Sequence, residues 1–236
     1  MIKLENVEVL GWEAAIRGMR NPMNSWEKSD SVKCYANANC PEICRNNMSE
    51  MHIGSNDLDL MTRLCKAGSD HRKFMRMITV YVDVTAPLYW WAECDTYKVG
   101  TVRNSCSKMH KLLSKPFEMS DFSFDKLPGY KNEVKQFRPD FDEYEEVARP
   151  LVDILNEMRD SYLNCDDEEQ KKIIWYSILQ LLPESYNQRA TVQLNYEVLR
   201  NMYHSRKNHK LDEWVEFCEW IENLPYSELI TGKENK

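Results

Sequence analysis

The chain has 236 residues and a formal net charge of -7, a balance that excludes a broadly basic nucleic-acid-binding surface but leaves room for a local basic pocket around a nucleotide phosphate. It is 42% hydrophobic, enough for one substantial core, and its charges of both signs are spread along the chain, which argues against disorder outside the tail. No run of about 18 apolar residues is present to span a membrane. Met1-Ile2-Lys3-Leu4-Glu5-Asn6 lacks the apolar stretch of a signal peptide, which predicts a cytoplasmic protein whose eight cysteines are mostly buried thiols rather than disulfides.

In chain order, Ile2, Leu4, Val7 and Val9 suit a short first strand. Residues 11–55 are poor in aliphatic side chains and read as an irregular region of loops with one short helix. Asn56 caps a predicted helix carrying Leu58, Leu60, Met61, Leu64 and Cys65, which Gly68 ends. His71 to Met75 suits a further helical turn. Ile78, Val80, Val82 and Val84 alternate with Thr79, Tyr81 and Asp83, a strand pattern stopped at Pro87. Leu88 to Cys94 suits a buried helix, Tyr97 to Val102 a short strand or a loop around Gly100, and Ser105 to Leu113 a short helix. Pro116, Pro128, Gly129 and Pro139 mark a connecting loop over residues 114–139. An amphipathic stripe then runs from Phe141 through Tyr144, Val147, Leu151 and Leu155 to Tyr162, and Pro150 inside it is expected to kink or break the helix. Further helices are expected over about Asp167–Leu182, Asn187–Arg206 and Leu211–Asn223, with a polar, flexible tail at 231–236. The prediction is a single α+β domain over 1–236, with a small, mainly antiparallel sheet and a helix-rich C-terminal half.

Several residue groups admit two readings. Arg200, Arg206, Lys207, His209 and Lys210 gather at the C-terminal end of a predicted helix, either complementing its dipole or, at Arg206, holding an anion. Tyr89-Trp90-Trp91 either packs in the core or stacks on a planar ring. Arg17 to Pro22 is either a solvated loop or an anion-binding turn, and His71-Arg72-Lys73 either a solvated charged face or a site. Cys106 has no base partner apparent in sequence to make it a nucleophile. Cys34, Cys40 and Cys44, with His52 downstream, are spaced more widely than structural zinc ligands usually are, so no metal site is predicted.

Two segments carry a family resemblance. Leu182-Pro183 is followed by Asn195, Asn201, Arg206, His209 and Glu213; Val82-Asp83-Val84-Thr85-Ala86-Pro87 is the second segment. Together these resemble flavin-dependent thymidylate synthases, the thymidylate synthase complementing proteins, across roughly residues 60–225. The family's Arg-His-Arg triplet falls here on Thr96-Tyr97-Lys98 and its following Ser on Cys106. Its preceding Arg-Gln pair falls on Ala92-Glu93, its helix Arg on Glu197, and the His before the strand on Arg76.

The resemblance implies a nucleotide (dUMP-like) ligand held by Arg206, Lys98 and Lys108, and FAD contacted by Asn195, Asn201 and His209. It implies a homotetramer with sites between subunits. In an active member, methylenetetrahydrofolate supplies carbon for methylation at pyrimidine C5 and NADPH the reducing equivalents. Lys98 keeps one charge of the triplet but not its forked donors, and Glu197 opposes a phosphate. Two functions therefore follow: a divergent methyltransferase of thymidylate synthase type, or an inactive protein of the same fold serving as a nucleotide-binding or protein-interaction module of phage or mobile-element origin.

Overall fold

The computed structural model describes residues 2–33, 51–125 and 145–233. Cys34, Cys40, Cys44, Pro128, Gly129, Pro139, Phe141 and Tyr144 lie outside the described residues, as do residues 234–236 of the predicted tail. The elements are β1 (Lys3–Leu10), α1 (Trp12–Arg20), β2 (Val32–Lys33), β3 (Met51–His52), α2 (Ser55–Lys66), a 3-10 turn (Lys73–Met77), β4 (Thr79–Pro87) and α3 (Leu88–Cys94). There follow β5 (Val102–Ser105), α4 (Lys108–Lys111), α5 (Glu145–Leu163), α6 (Glu168–Leu181), β6 (Asn187–Asn195), α7 (Tyr196–Arg206), α8 (Asp212–Glu222) and α9 (Glu228–Thr231). The class is α+β, with a small antiparallel sheet of strand order β1-β4-β6-β5 and a separate β2-β3 ladder.

The two central strands form by the same rule. In β4, Val80, Val82, Val84 and Ala86 are buried while Tyr81 is exposed, the two-residue period of a pleated strand. In β6, Gln188, Ala190, Val192 and Leu194 are buried, with Arg189 and Thr191 exposed between them. This overturns the expectation of one helix from Asn187 to Arg206. Gln, Arg, Ala and Leu are good helix formers, but burial of every second residue outweighs that weak preference. The helix begins only after Asn195, whose side-chain oxygen accepts a hydrogen bond from the Val198 amide at 2.9 Å. The break expected at Pro150 does not occur: α5 runs through it from Glu145 to Leu163. Pro150 lies early in the helix, where its missing amide removes one backbone hydrogen bond.

The chain divides into two compact units. The smaller comprises Thr85–Ala92 and Ser105–Arg189. Its core packs Leu112, Phe117, Phe122, Val152, Leu155 and Ile178, and the Asn156 side chain clamps both backbone groups of Phe117. Asp167 caps α6 by accepting from the amides of Glu169 and Gln170. Trp90 and Trp91 are buried edge to face at 5.0 Å, and the Trp91 indole donates to the Gln188 carbonyl, so this aromatic pair is packing.

The larger unit comprises Ile2–Val84, Glu93–Asn104 and Ala190–Lys236. Trp12, Tyr196 and Tyr226 meet edge to face in its core. The segment Arg17 to Pro22 is not the solvated loop read from sequence: it ends α1 and enters a 3-10 turn, and its Arg20 is buried against Asp57 of α2 at 2.7 Å. No helix among the described residues is long and apolar enough to cross a membrane, and none of their His, Cys, Asp and Glu side chains gather into a metal-binding group.

Candidate functional site

Within the larger unit, a cavity of about 640 Å³ opens beside the start of α7. Its position follows from the strand-to-helix turn at Asn195. The Asn195 oxygen is committed to the helix cap, and its amide nitrogen faces Gly100. A Cβ placed on Gly100 would sit 2.6 Å from that nitrogen, and Gly100 also holds φ of 79°. Both the space and the left-handed backbone call for glycine here. Gly100→Ala is therefore expected to cost about 1–2 kcal/mol of stability from backbone strain alone, read as an earlier urea midpoint, with added loss from displacing Asn195.

The cavity is cationic. Arg72, Arg76, Arg200 and His204 line it with Asn195, Asn201, Val99, Val198 and one carboxylate, Glu197. Arg72 Nε donates to both Glu197 oxygens, at 2.8 and 3.1 Å, so this carboxylate is neutralised in place. Arg200 Nη1 donates to the carbonyls of Leu229 and Ile230, which fixes its guanidinium. Burial, and then the charges of Arg200 and Lys207, push the His204 pKa down and favour its neutral ring. Arg76 and Asn201 are exposed, and their side chains make no hydrogen bond or ion pair among the described residues.

A second cluster surrounds Arg206, also within the larger unit. Its Nη1 donates to Glu93 Oε2 at 2.5 Å and its Nε to the Tyr97 hydroxyl at 2.9 Å. The guanidinium lies over the rings of Trp214 and Tyr97, 4.9 and 5.6 Å from their centroids. His209 Nε2 stands 3.3 Å from the same Glu93 oxygen. The Leu211 amide donates to His209 Nδ1 at 3.2 Å, and Arg206 Nη1 lies 2.9 Å from His209 Nε2.

The residues picked from sequence are thus separated. Asn195 and Asn201 line the cavity, whereas Arg206 and His209 belong to the cluster with Glu93 and Tyr97. Lys98 is exposed and is not among the cavity-lining residues, although its neighbours Val99 and Gly100 are. Lys108 opens α4 in the smaller unit. Arg72, read as part of a solvated charged face, instead turns inward to Glu197. Arg200 and His204 were not singled out as cavity residues. Their signal is the spacing of Glu197, Arg200, Asn201 and His204 on one helical face, which becomes visible once α7 is started at Tyr196. Cys106 is exposed, and its backbone joins the Arg189 carbonyl and the Gln188 side chain.

The class defined so far is a helix-rich α+β protein with a cationic cavity at a capped helix start. No family model matches the sequence, and no curated protein matches it. Among solved structures, the chain is similar to thymidylate synthase X (ThyX) from Helicobacter pylori with FAD and dUMP, with a TM-score of 0.59 and 15% identity over 97% of this chain and 96% of that one. It is also similar to flavin-dependent thymidylate synthase ThyX from Helicobacter pylori complexed with FAD and dUMP, with a TM-score of 0.58 and 18% identity over 95% of this chain and 96% of that one. The chain therefore has the fold of these flavin-dependent thymidylate synthases along nearly its whole length.

Proposed function

We propose that this protein is a divergent, flavin-dependent thymidylate synthase-like nucleotide binder that holds FAD in the cavity beside α7. The observation that carries this reading is the convergence of Arg72, Arg76 and Arg200 on one cavity, with a single carboxylate already paired. Such a cavity suits a ligand with several phosphate charges, and its size lies within the ordinary range for small-molecule sites. Arg76 and Asn201 offer donors that no described residue uses, and Arg200 is held in position by two carbonyls. These residues, with Asn195, would hold the cofactor. Bound flavin supplies hydride chemistry, while the protein binds and orients. The nucleotide substrate would fall to Arg206, assisted by Lys98, with His209 contacting the flavin or the base. Assembly into a homotetramer belongs to the same reading, and light scattering should then give four times the 28.0 kDa chain mass.

Purified protein is expected to copurify with flavin, or to quench FAD fluorescence on titration, and Arg76→Ala should weaken that binding about tenfold by removing one charge-assisted contact. Colourless protein that leaves FAD fluorescence unchanged would refute the reading. A second reading, nucleotide binding without synthase chemistry, is favoured by the engagement of Arg206 with Glu93 and Tyr97 and by the position of Lys98 outside the cavity lining. Expression in a thymidine auxotroph separates the two: growth without thymidine requires folate-dependent methylation of dUMP, and failure to grow by a flavin-loaded protein favours the second.

A further inference from the structure

A second cavity, of about 380 Å³, is bounded by α2 and α9 within the larger unit, and it shares Arg200 with the cavity beside α7. Leu58, Thr62, Cys65 and Lys66 recur at the spacing of one helical face, so α2 supplies one wall. Cys65 adds to the apolar character of that wall: burial pushes its thiol up to about 11, so it stays uncharged. Leu229 of α9 supplies a second apolar surface. Gly232, left-handed at φ 70°, ends α9 and leaves its stretch of wall without a side chain. The lining charges are uneven, with Lys66, Arg200 and Lys233 against Glu228. Even with Glu222, which holds Lys233 at 2.5 Å, cations outnumber carboxylates. Arg200 gives Nη1 to the carbonyls of Leu229 and Ile230, and its Nε and Nη2 have no acceptor among the described residues.

We propose that this cavity is a second ligand site, for a small anion with an apolar body such as a hydrophobic carboxylate or sulfonate, and that its occupant antagonises the ligand of the cavity beside α7. The apolar body packs on Leu58 and Leu229, and the anionic group takes Lys66 and Arg200. Apolar walls with a few polar anchors are the usual make-up of a small-molecule site, and the volume lies in the usual range. The antagonism follows from Arg200 lining both cavities. One fixed guanidinium does not fully neutralise two anions, so each ligand lowers the other's affinity, by the same factor in both directions. The site itself stands without the FAD reading; the antagonism rests on it.

Calorimetric titration of anilinonaphthalenesulfonate, and of its uncharged parent N-phenylnaphthylamine, tests the site. Wild type is expected to bind the sulfonate saturably, and the uncharged ring about tenfold more weakly. Thr62→Phe fills the cavity and should abolish sulfonate binding, whereas Lys66→Met should weaken it several-fold. Folded wild type without saturable sulfonate binding would overturn the proposal, and so would unchanged binding in variants that melt like wild type. If Thr62→Phe does not fold, Lys66→Met decides alone. Equal affinity for the two probes would overturn the anionic class. FAD titrations with and without the sulfonate test the antagonism. FAD affinity is expected to fall by up to about tenfold and then level off as the sulfonate saturates. Thr62→Phe should bind FAD as wild type does and lose that effect. A fall that never levels off would place the sulfonate in the cavity beside α7 and overturn the proposal. Sulfonate binding that leaves FAD affinity unchanged would overturn the antagonism. A protein that takes up no FAD sinks the flavin reading, while sulfonate binding still decides the second site.

Discussion

Asp57→Ala is expected to lower the unfolding free energy by about 3–5 kcal/mol, the range for breaking a buried ion pair from one side, and the melting temperature by on the order of 10 °C. Asp57 is fully buried and accepts from Arg20 Nε at 2.7 Å, from the hydroxyls of Ser29 and Ser31, and from the amides of Asp30 and Ser31. Its removal leaves the Arg20 charge buried and takes the acceptor from four further donors. Arg20→Met should cost less, because Asp57 keeps its hydroxyl and amide donors. Burial alone would raise the Asp57 pKa, but the hydrogen bonds of Ser31, Ser29 and Arg20 outweigh it and hold the carboxyl below the usual Asp range. The sign of the pH effect follows. A depressed folded pKa contributes stability that is fully present above the unfolded value near 3.9 and is lost as pH falls through the folded value. Urea melts between pH 7 and pH 2 should show an acid limb that Asp57→Asn flattens. A variant as stable as wild type at pH 7 would show that this cluster does not anchor α1 to α2.

How much of this was legible from sequence depends on how local each signal is. The alternation of Val80, Val82 and Val84 and the apolar period of α2 are local, and both elements follow from them. Residues 187–195 carry the same alternation but in helix-forming side chains, so the strand emerges only when one face is seen to be buried. The α1 helix hides among Arg, Gly and Met because its buried face is completed by Arg20, a charge whose partner Asp57 lies 37 residues away. The site divides in the same way. Asn195 is legible because its cap is made three residues on, at Val198. Arg206 was legible as one of a cluster of cations, but its partner was not, since Glu93 is 113 residues distant. Glu197, read as a carboxylate opposed to phosphate, is answered by Arg72 across 125 residues. Long-range charge pairing is what a pattern read along the chain does not contain.

That last pair carries the second large prediction, which rests on FAD as the ligand of the cavity. Arg72→Met is expected to weaken FAD binding by about 10- to 100-fold, although Arg72 spends its Nε on Glu197 rather than on a ligand. The substitution removes one positive charge and uncovers one negative charge, each about one-fifth exposed, beside Arg76 and Arg200. Two unit charges about 8 Å apart at an effective dielectric of about 20 interact by roughly 2 kcal/mol, which is about 30-fold in affinity. Glu197→Gln acts in the opposite direction: it releases Arg72 toward the cavity and should tighten FAD binding several-fold. In the double variant neither charge remains, and the affinity should return to near the wild-type value. That recovery is the discriminating result, because a merely damaged cavity would make the double variant the weakest of the three. Equal FAD affinity in all four proteins would place the ligand elsewhere. If Glu197→Gln weakens binding instead, the carboxylate accepts a hydrogen bond from the ligand, and Arg72 positions it to read a hydroxyl rather than merely cancelling its charge.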